Sequence, residues 1–339
     1  MTTSPAKTTI NTELMTALKK YKVTPIRITN DIHSPLQQYV DQIYVINMVQ
    51  DIRKRNYIHV LFQKYKINYT LVLVDKVDPA VFETLTKHHK MSMPELGCTL
   101  SHMWCLIHLL KNEYKNAIIF EDDIVLSKTF VEDFIALLSM HPTTDFMLLG
   151  AHDFNFSRTN HANVENRVYR PTFDPNFPLY GAHANYYSFQ GAKRMLYIRT
   201  THLSFFDNEY NLMFDTLPNA YICYPNLVLS NMSESGISDT HKKDFCTQHE
   251  YNYYNCCFKD LNFRQYNLMY TNIFDVKLYK NKDTQSVEDF ITACLQTILG
   301  DPEKIHSVKN RCALDFFNMS DILYILMNRS TLDRSKQSL

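Results

Sequence analysis

Strand-length apolar runs recur through the first half of the chain: QIYVINM (42–48), YTLVLVD (69–75), NAIIF (116–120) and DFMLLG (145–150). Segments of helical periodicity lie between them. DIRKRNYIHVLFQKYKI (51–67) carries Ile58, Leu61, Phe62 and Tyr65 near helical spacing. PELGCTLSHMWCLIHLLKNEY (94–114) aligns Leu96, Leu100, Met103, Trp104, Ile107 and Leu110, and TFVEDFIALLSM (129–140) is a third helical pattern. Strands alternating with helices specify an α/β chain with a doubly wound, mostly parallel sheet flanked by helices. In such sheets ligands gather beyond the carboxyl ends of the strands. Asn47, Asp75, Glu121–Asp123 and Gly150 all fall at those ends.

The stretch AIIFEDDIVL (117–126) is the sharpest chemical feature. An apolar run meets three consecutive carboxylates, and three apolar residues follow. Adjacent like charges repel, and an unpaired buried carboxylate is costly. A solvated turn or the first turn of a helix would accommodate the acids without any ligand. The flanking apolar residues keep the turn short and close to the core, which favours a bound cation. In an extended segment alternate side chains share a face, so Glu121 and Asp123 point one way and Asp122 the other. Glu121 and Asp123 are therefore the candidate metal ligands, with Asp123 the main one.

Bulk composition narrows the classes. The chain has 339 residues, 45% hydrophobic, with a formal net charge of zero, which gives no basis for a nucleic-acid or membrane-surface partner. Six glycines argue against a glycine-rich phosphate loop. The eight cysteines include no C-x-x-C pair, so a structural zinc site is not expected from spacing. The N-terminal MTTSPAKTTINTELMTALKK lacks the apolar core of a signal peptide, and no run reaches membrane-spanning length. The expectation is a cytoplasmic protein with no membrane span. Residues 1–38 are polar with Pro25 and Pro35 and read as an arm; 39–241 form the main domain; 242–339 form a largely helical extension. The HH pair at 88–89 reads as loop.

Several motifs, in order, resemble glycosyltransferase family 25, the group of lipopolysaccharide and collagen galactosyltransferases. They are YVINM followed by RKR, ELGCTLSH, IIFEDDIVL, YGAHANYYSFQGAKRML, FFDNE and YPNLV. The resemblance spans residues 42–240. It departs from the family at Pro94, where a glycine is usual, and at Asn185, where an aromatic is usual. It implies a GT-A-type nucleotide-sugar-binding fold, a divalent metal such as Mn2+, a UDP-sugar donor and inversion at the anomeric carbon. Galactose is the favoured sugar, with glucose possible, and the acceptor is a glycan or a hydroxylysine-type protein hydroxyl.

The same resemblance assigns the remaining candidates. Lys54 and Arg55 occupy the positions of the family's arginine pair and face the nucleotide, against the plainer reading of a solvated basic face. Asn47 and Asp75 would meet uracil or ribose. Asp122, Ser101, His102 and His183 complete the donor-binding set, with Ser101 and His102 placed in the first turn of a helix. A buried, hydrogen-bonded helix histidine is an equal reading of His102, and a small buried thiol explains Cys98. The base of an inverting transfer is expected in SFFDNEY: Asp207 first, with Asp153 and Glu209 in reserve. The plainer reading of Asp207 is a helix cap. A non-catalytic scaffold of the same fold is the alternative, disfavoured by the intact acid triplet; a phosphodiesterase would want more His and Asp ligands.

Overall fold

The computed structural model describes residues 5–30, 34–87, 91–153, 155, 159–176 and 179–230. The chain divides into two compact units, Met1–Tyr251 and Asn252–Leu339, and every described residue lies in the first. The expected helical extension, the HH pair at 88–89 and most of the cysteines fall outside the described residues.

In chain order the elements are α1 (Pro5–Lys20), β1 (Val23–Ile28), a 3-10 turn at Pro35–Gln38, β2 (Gln42–Met48), α2 (Ile52–Lys64), β3 (Tyr69–Val74), α3 (Pro79–Thr86), α4 (Met93–Lys111), β4 (Asn116–Phe120) and β5 (Ile124–Leu126). There follow α5 (Phe130–Met140), β6 (Phe146–Leu148), β7 (His152–Asp153), a 3-10 turn at Asn160–Asn163, β8 (Val168–Tyr169), β9 (Leu179–Tyr180) and β10 (Ala184–Ser188). The last are α6 (Phe189–Thr201), α7 (Tyr210–Thr216), β11 (Ala220–Cys223) and β12 (Val228–Ser230). Eight strands form one sheet in the order β1-β3-β2-β4-β10-β6-β11-β8. β3, β2 and β4 are parallel, and so are β6 and β11, while β1, β10 and β8 run antiparallel to their neighbours. The sheet is thus mostly parallel, as the alternation of strand and helix requires, with reversed strands at both edges and one in the middle.

Local chemistry sets the boundaries. Asp51 caps α2 by accepting the Lys54 N–H at 3.1 Å. Ser92 and Glu95 close a reciprocal capping box on α4, with Pro94 in its first turn, where a missing N–H costs nothing. Pro94 therefore departs from the family motif without disturbing the helix. Ser188 ends β10 and caps α6, accepting the Gly191 N–H at 3.1 Å.

The sequence reading of residues 1–38 as an arm is corrected here. β1 pairs along its full length with β3, and Pro25 is tolerated because the strand lies at the sheet edge. Leu14, Ala17 and Leu18 are buried with Val77, Leu85, Leu96, Leu100 and Met103. Their i, i+3, i+4 spacing is a helical stripe that the surrounding polar residues obscure. α3 and β5 were not anticipated either; both are short.

The reversed strand β10 matters most for function. After β6 the chain wanders through β7, β8 and β9 and re-enters the sheet from the carboxyl edge, so β10 must run antiparallel between β4 and β6. Its register pairs Ala184 with Phe120 and Asn185 with both Ile119 and Leu148. His183 is thereby set beside Glu121, whose backbone N–H donates to the His183 carbonyl at 2.9 Å.

Candidate active site

β4 ends at Phe120, and Asp122 and Asp123 occupy a turn before β5. Because the segment is not extended, the strand alternation expected of Glu121 and Asp123 does not apply. The acids divide differently: Glu121 faces α4, and Asp122 and Asp123 share the positive charge of Lys54 on α2.

On the α2 side four predicted residues form one chain of bonds. The Arg55 Nε donates to Asn47 Oδ1 at 3.0 Å. Asn47 Nδ2 donates to Asp122 Oδ2 at 2.8 Å. Lys54 Nζ meets Asp122 Oδ1 at 3.0 Å, with both side chains largely buried. Burial works to lower the Lys54 ammonium, but Asp123, Asp122 and Asp51 outweigh it and the net shift is upward. Arg55 also donates through Nη2 to the carbonyls of Met48 and Val49, bracing the β2–α2 turn; Nη1 takes part in none of these bonds. Asp123 accepts from Ser230 Oγ at 3.3 Å. Burial pushes its carboxyl up to about 7, helped by Glu121 and Asp122 and opposed by Lys54 and Ser230. One ammonium does not balance this much negative charge.

On the α4 side, Glu121 Oε1 is the common acceptor of two donors. Cys98 Sγ lies at 3.3 Å and His102 Nε2 at 3.2 Å. Burial alone would raise Glu121, yet the hydrogen bond and charge of His102, then His183 and Cys98, bring it down. The His102 ring is fully buried and stacks on Phe206, centroids 4.3 Å apart; its Nδ1 finds no hydrogen-bond partner. Ser101 and His102 sit well inside α4, which starts at Met93, so the expectation of a first-turn anion site is corrected. Ser101 turns the other way. Its Oγ donates to the Gly97 carbonyl at 2.6 Å and lies 3.0 Å from the Tyr21 hydroxyl, tying α4 to the segment before β1.

From the second half comes Asp207, in the loop before α7. Its Oδ2 accepts the Gly181 N–H at 3.2 Å. It makes no helix cap, because α7 starts at Tyr210 and its N-cap, Glu209, has no side-chain cap bond. Burial raises the Asp207 carboxyl, the Gly181 N–H opposes, and through space the charge of Glu121 raises it while that of His102 lowers it. Glu209 is committed elsewhere. It accepts from Ser204 at 2.9 Å and pairs with the fully buried Arg199 at 3.8 Å. Arg199 in turn donates to the Ser204 and Phe205 carbonyls, fixing the loop that carries Phe206 and Asp207. Asp153 is likewise occupied: its oxygens accept from Asn155 at 2.9 Å, Asn160 at 2.7 Å and Tyr169 at 3.0 Å. Asp75 lies just past β3, exposed, outside the hydrogen bonds that join the acids.

His183 is buried, and burial lowers its ring to about 4 against the opposing pull of Glu121 and the Val228 carbonyl. The carbonyl does not complete a hydrogen bond to Nε2. Close packing at this point depends on glycine. A Cβ on Gly150 would stand 2.0 Å from the Val228 carbonyl oxygen and 2.5 Å from His183 Nε2, and Gly181 has φ +139°. Gly150→Ala is expected to lower the melting midpoint by on the order of 10 °C, since rigid backbone must give way. A thermal melt within a degree or two of wild type would refute the overlap.

Sequence reasoning overlooked Cys98 as a partner of Glu121, although its i, i+4 spacing to His102 places both on one face of α4. It also overlooked Ser230 and Arg199, which act only through chain reversals that no local pattern announces.

Residues 40–176 match the family model of glycosyltransferase family 25 (LPS biosynthesis protein). The match encloses Asn47, Lys54, Arg55, the acid triplet and Asp153, while His183, Asp207 and Glu209 lie beyond it. The family points to sugar transfer, with a sugar donor and a glycan acceptor. The mixed α/β fold with its mostly parallel sheet is compatible with that class. No curated protein matches the chain. No helix among the described residues is long and apolar enough to cross a membrane.

Proposed function

We propose that the protein is a metal-dependent inverting glycosyltransferase, with a GT-A-type catalytic domain over residues 39–241, that moves a hexose from a UDP-sugar to a glycan or hydroxylysine-type hydroxyl. Galactose is the favoured sugar and glucose the alternative. One observation carries the reading: at the carboxyl end of β4 the buried Asp123 sits with Glu121 and Asp122, too much negative charge for Lys54 alone, and the carboxyl of Asp207 responds to the charge of Glu121.

The donor set fits a hard divalent cation such as Mn2+. Asp123 is the buried oxygen ligand, and Glu121, whose Oε2 is outside the bonds to Cys98 and His102, is the second. When bound, such an ion neutralises the diphosphate leaving group. Asp122 is better described as the anchor of Lys54 and Asn47 than as a ligand.

The chain's own residues supply the rest. Arg55 and Lys54 hold the diphosphate end of the donor, and Asn47, fixed between Arg55 and Asp122, presents the end of β2 to the nucleoside. Asp207 takes the proton from the acceptor hydroxyl as that oxygen attacks the anomeric carbon and the bond to the phosphate oxygen breaks. Burial makes its carboxylate more basic than an exposed one, which suits a general base. Arg199 and Glu209 position it by clamping the loop before α7.

The test is a screen of UDP-sugars with and without Mn2+ for thermal stabilisation, followed by UDP release with a hydroxyl acceptor. A metal-dependent shift with one sugar and release of UDP is the expected result. No stabilisation by any UDP-sugar would overturn the donor assignment, and binding without turnover would favour the scaffold alternative. Arg55→Ala is expected to weaken UDP itself about tenfold, since the guanidinium both orients Asn47 and approaches the phosphates. Unchanged UDP affinity by calorimetry would reduce Arg55 to a brace of the β2–α2 turn.

A further inference from the structure

Cys98 and His102 bring sulfur and imidazole to the Oε1 side of Glu121, the carboxylate whose Oε2 is left to the proposed oxygen-ligated site. We infer that these three side chains form a second cation site, selective for thiophilic divalent ions of the zinc class, built between α4 and the carboxyl end of β4. The three ligand atoms lie within 4.8 Å of one another. Two of the separations are direct contacts: Sγ to Oε1 is 3.3 Å and Nε2 to Oε1 is 3.2 Å. Ligand lengths of about 2.3 Å for sulfur and about 2.1 Å for nitrogen and oxygen in a tetrahedron put these pairs about 3.6 and 3.4 Å apart. These two pairs are within a few tenths of an ångström of that geometry, and the third, Sγ to Nε2, lies within 4.8 Å and would close towards about 3.6 Å around an ion.

The site is built rather than incidental. Cys98 and His102 stand one turn apart on α4, so one helix presents both ligands. The His102 ring is fully buried and its plane is set by the stack on Phe206, which Arg199 backs at 5.9 Å from the ring centroid. Cys98 is a free thiol. Sulfur, imidazole and carboxylate together suit zinc or cobalt, whereas manganese and magnesium prefer oxygen. Water would supply the fourth position.

Binding exchanges the hydrogen of the Cys98 thiol for the metal bond, and the proton passes to solvent. Glu121 stays anionic, and neutral His102 moves its one N–H proton from Nε2, where it faces Glu121 without metal, to Nδ1, freeing the Nε2 lone pair for the ion, so the thiol proton is the only one released. Apparent affinity therefore rises about tenfold per pH unit below the thiol's pKa. The inference does not rest on sugar transfer; it concerns metal occupancy alone.

Cobalt titration of the metal-free full-length chain tests it. The chain has other cysteines, Cys246, Cys256 and Cys257 among them, so the reading is a difference. Wild type is expected to show a sulfur-to-cobalt charge-transfer band that zinc abolishes, manganese does not, and Cys98→Ser and His102→Gln each lose. A band undiminished in Cys98→Ser, or no band at all, overturns the site. Should either variant fail to fold, alkylation of Cys98 in wild type decides the matter by peptide mapping. Zinc is expected to slow it at least tenfold and manganese to leave it unchanged; equal rates with and without zinc overturn the site. UDP affinity measured on the same samples reports the donor reading separately.

Discussion

Asp123→Asn is expected to abolish manganese-dependent binding of the UDP-sugar and, in the same variant, to raise the melting midpoint of the ligand-free protein above neutral pH. Both effects have one cause. Asp123 is buried beside Glu121 and Asp122, so the folded protein holds its proton up to about pH 7, whereas an unfolded aspartate releases it near about 3.9. Between those values the native state binds a proton that the unfolded chain has lost, and stability falls as pH rises. Above about 7 the penalty is complete. Asparagine cannot ionise and escapes it, so the midpoint gap should be small near pH 4, open through the window and stay level beyond it. A gain of several degrees at pH 8 is the scale expected, at about 2–4 °C per kcal/mol for a domain of this size. Melts at pH 5 and pH 8, with a donor titration in Mn2+, read both outcomes. Wild-type donor affinity in the variant would show that Asp123 holds no metal; coincident melts at both pH values would show that the carboxyl is not strained.

Asp207→Asn is expected to reduce transfer by orders of magnitude while donor binding and melting midpoint stay near wild type. The amide still offers an oxygen to the Gly181 N–H, so the bond that fixes the loop survives. What disappears is the basic oxygen that accepts the acceptor's proton. General-base contributions of about 100- to 10,000-fold set the scale. The pH profile adds a second reading: wild-type turnover should fall as pH drops through the raised Asp207 range, and that limb should vanish in the variant. Turnover close to wild type would remove Asp207 from the reaction. Asp153 and Glu209 are poorer substitutes, since Asn155, Asn160 and Tyr169 occupy the first and Ser204 and Arg199 the second.

Periodicity in the sequence determined β2, α2, β3, α4, β4, α5 and β6 closely, because their apolar patterns are long and each is bounded by a cap or turn. It also determined that Asn47 and the acid triplet would sit at carboxyl ends, and that Lys54 and Arg55 would follow β2 on the first turns of a helix. α1 escaped because its buried stripe of Leu14, Ala17 and Leu18 is narrow and set among polar residues, so only packing against α3 and α6 reveals it. Tertiary structure alone decided how the acids divide. The turn after Phe120 sends Glu121 toward α4 and Asp122 and Asp123 toward Lys54, which strand alternation could not foresee. It also decided the direction of β10. Nothing local distinguishes a parallel from an antiparallel strand of five residues; the path of the chain from β6 back to the carboxyl edge does. That reversal puts His183 against Glu121 and, two residues earlier, Gly181 against Asp207.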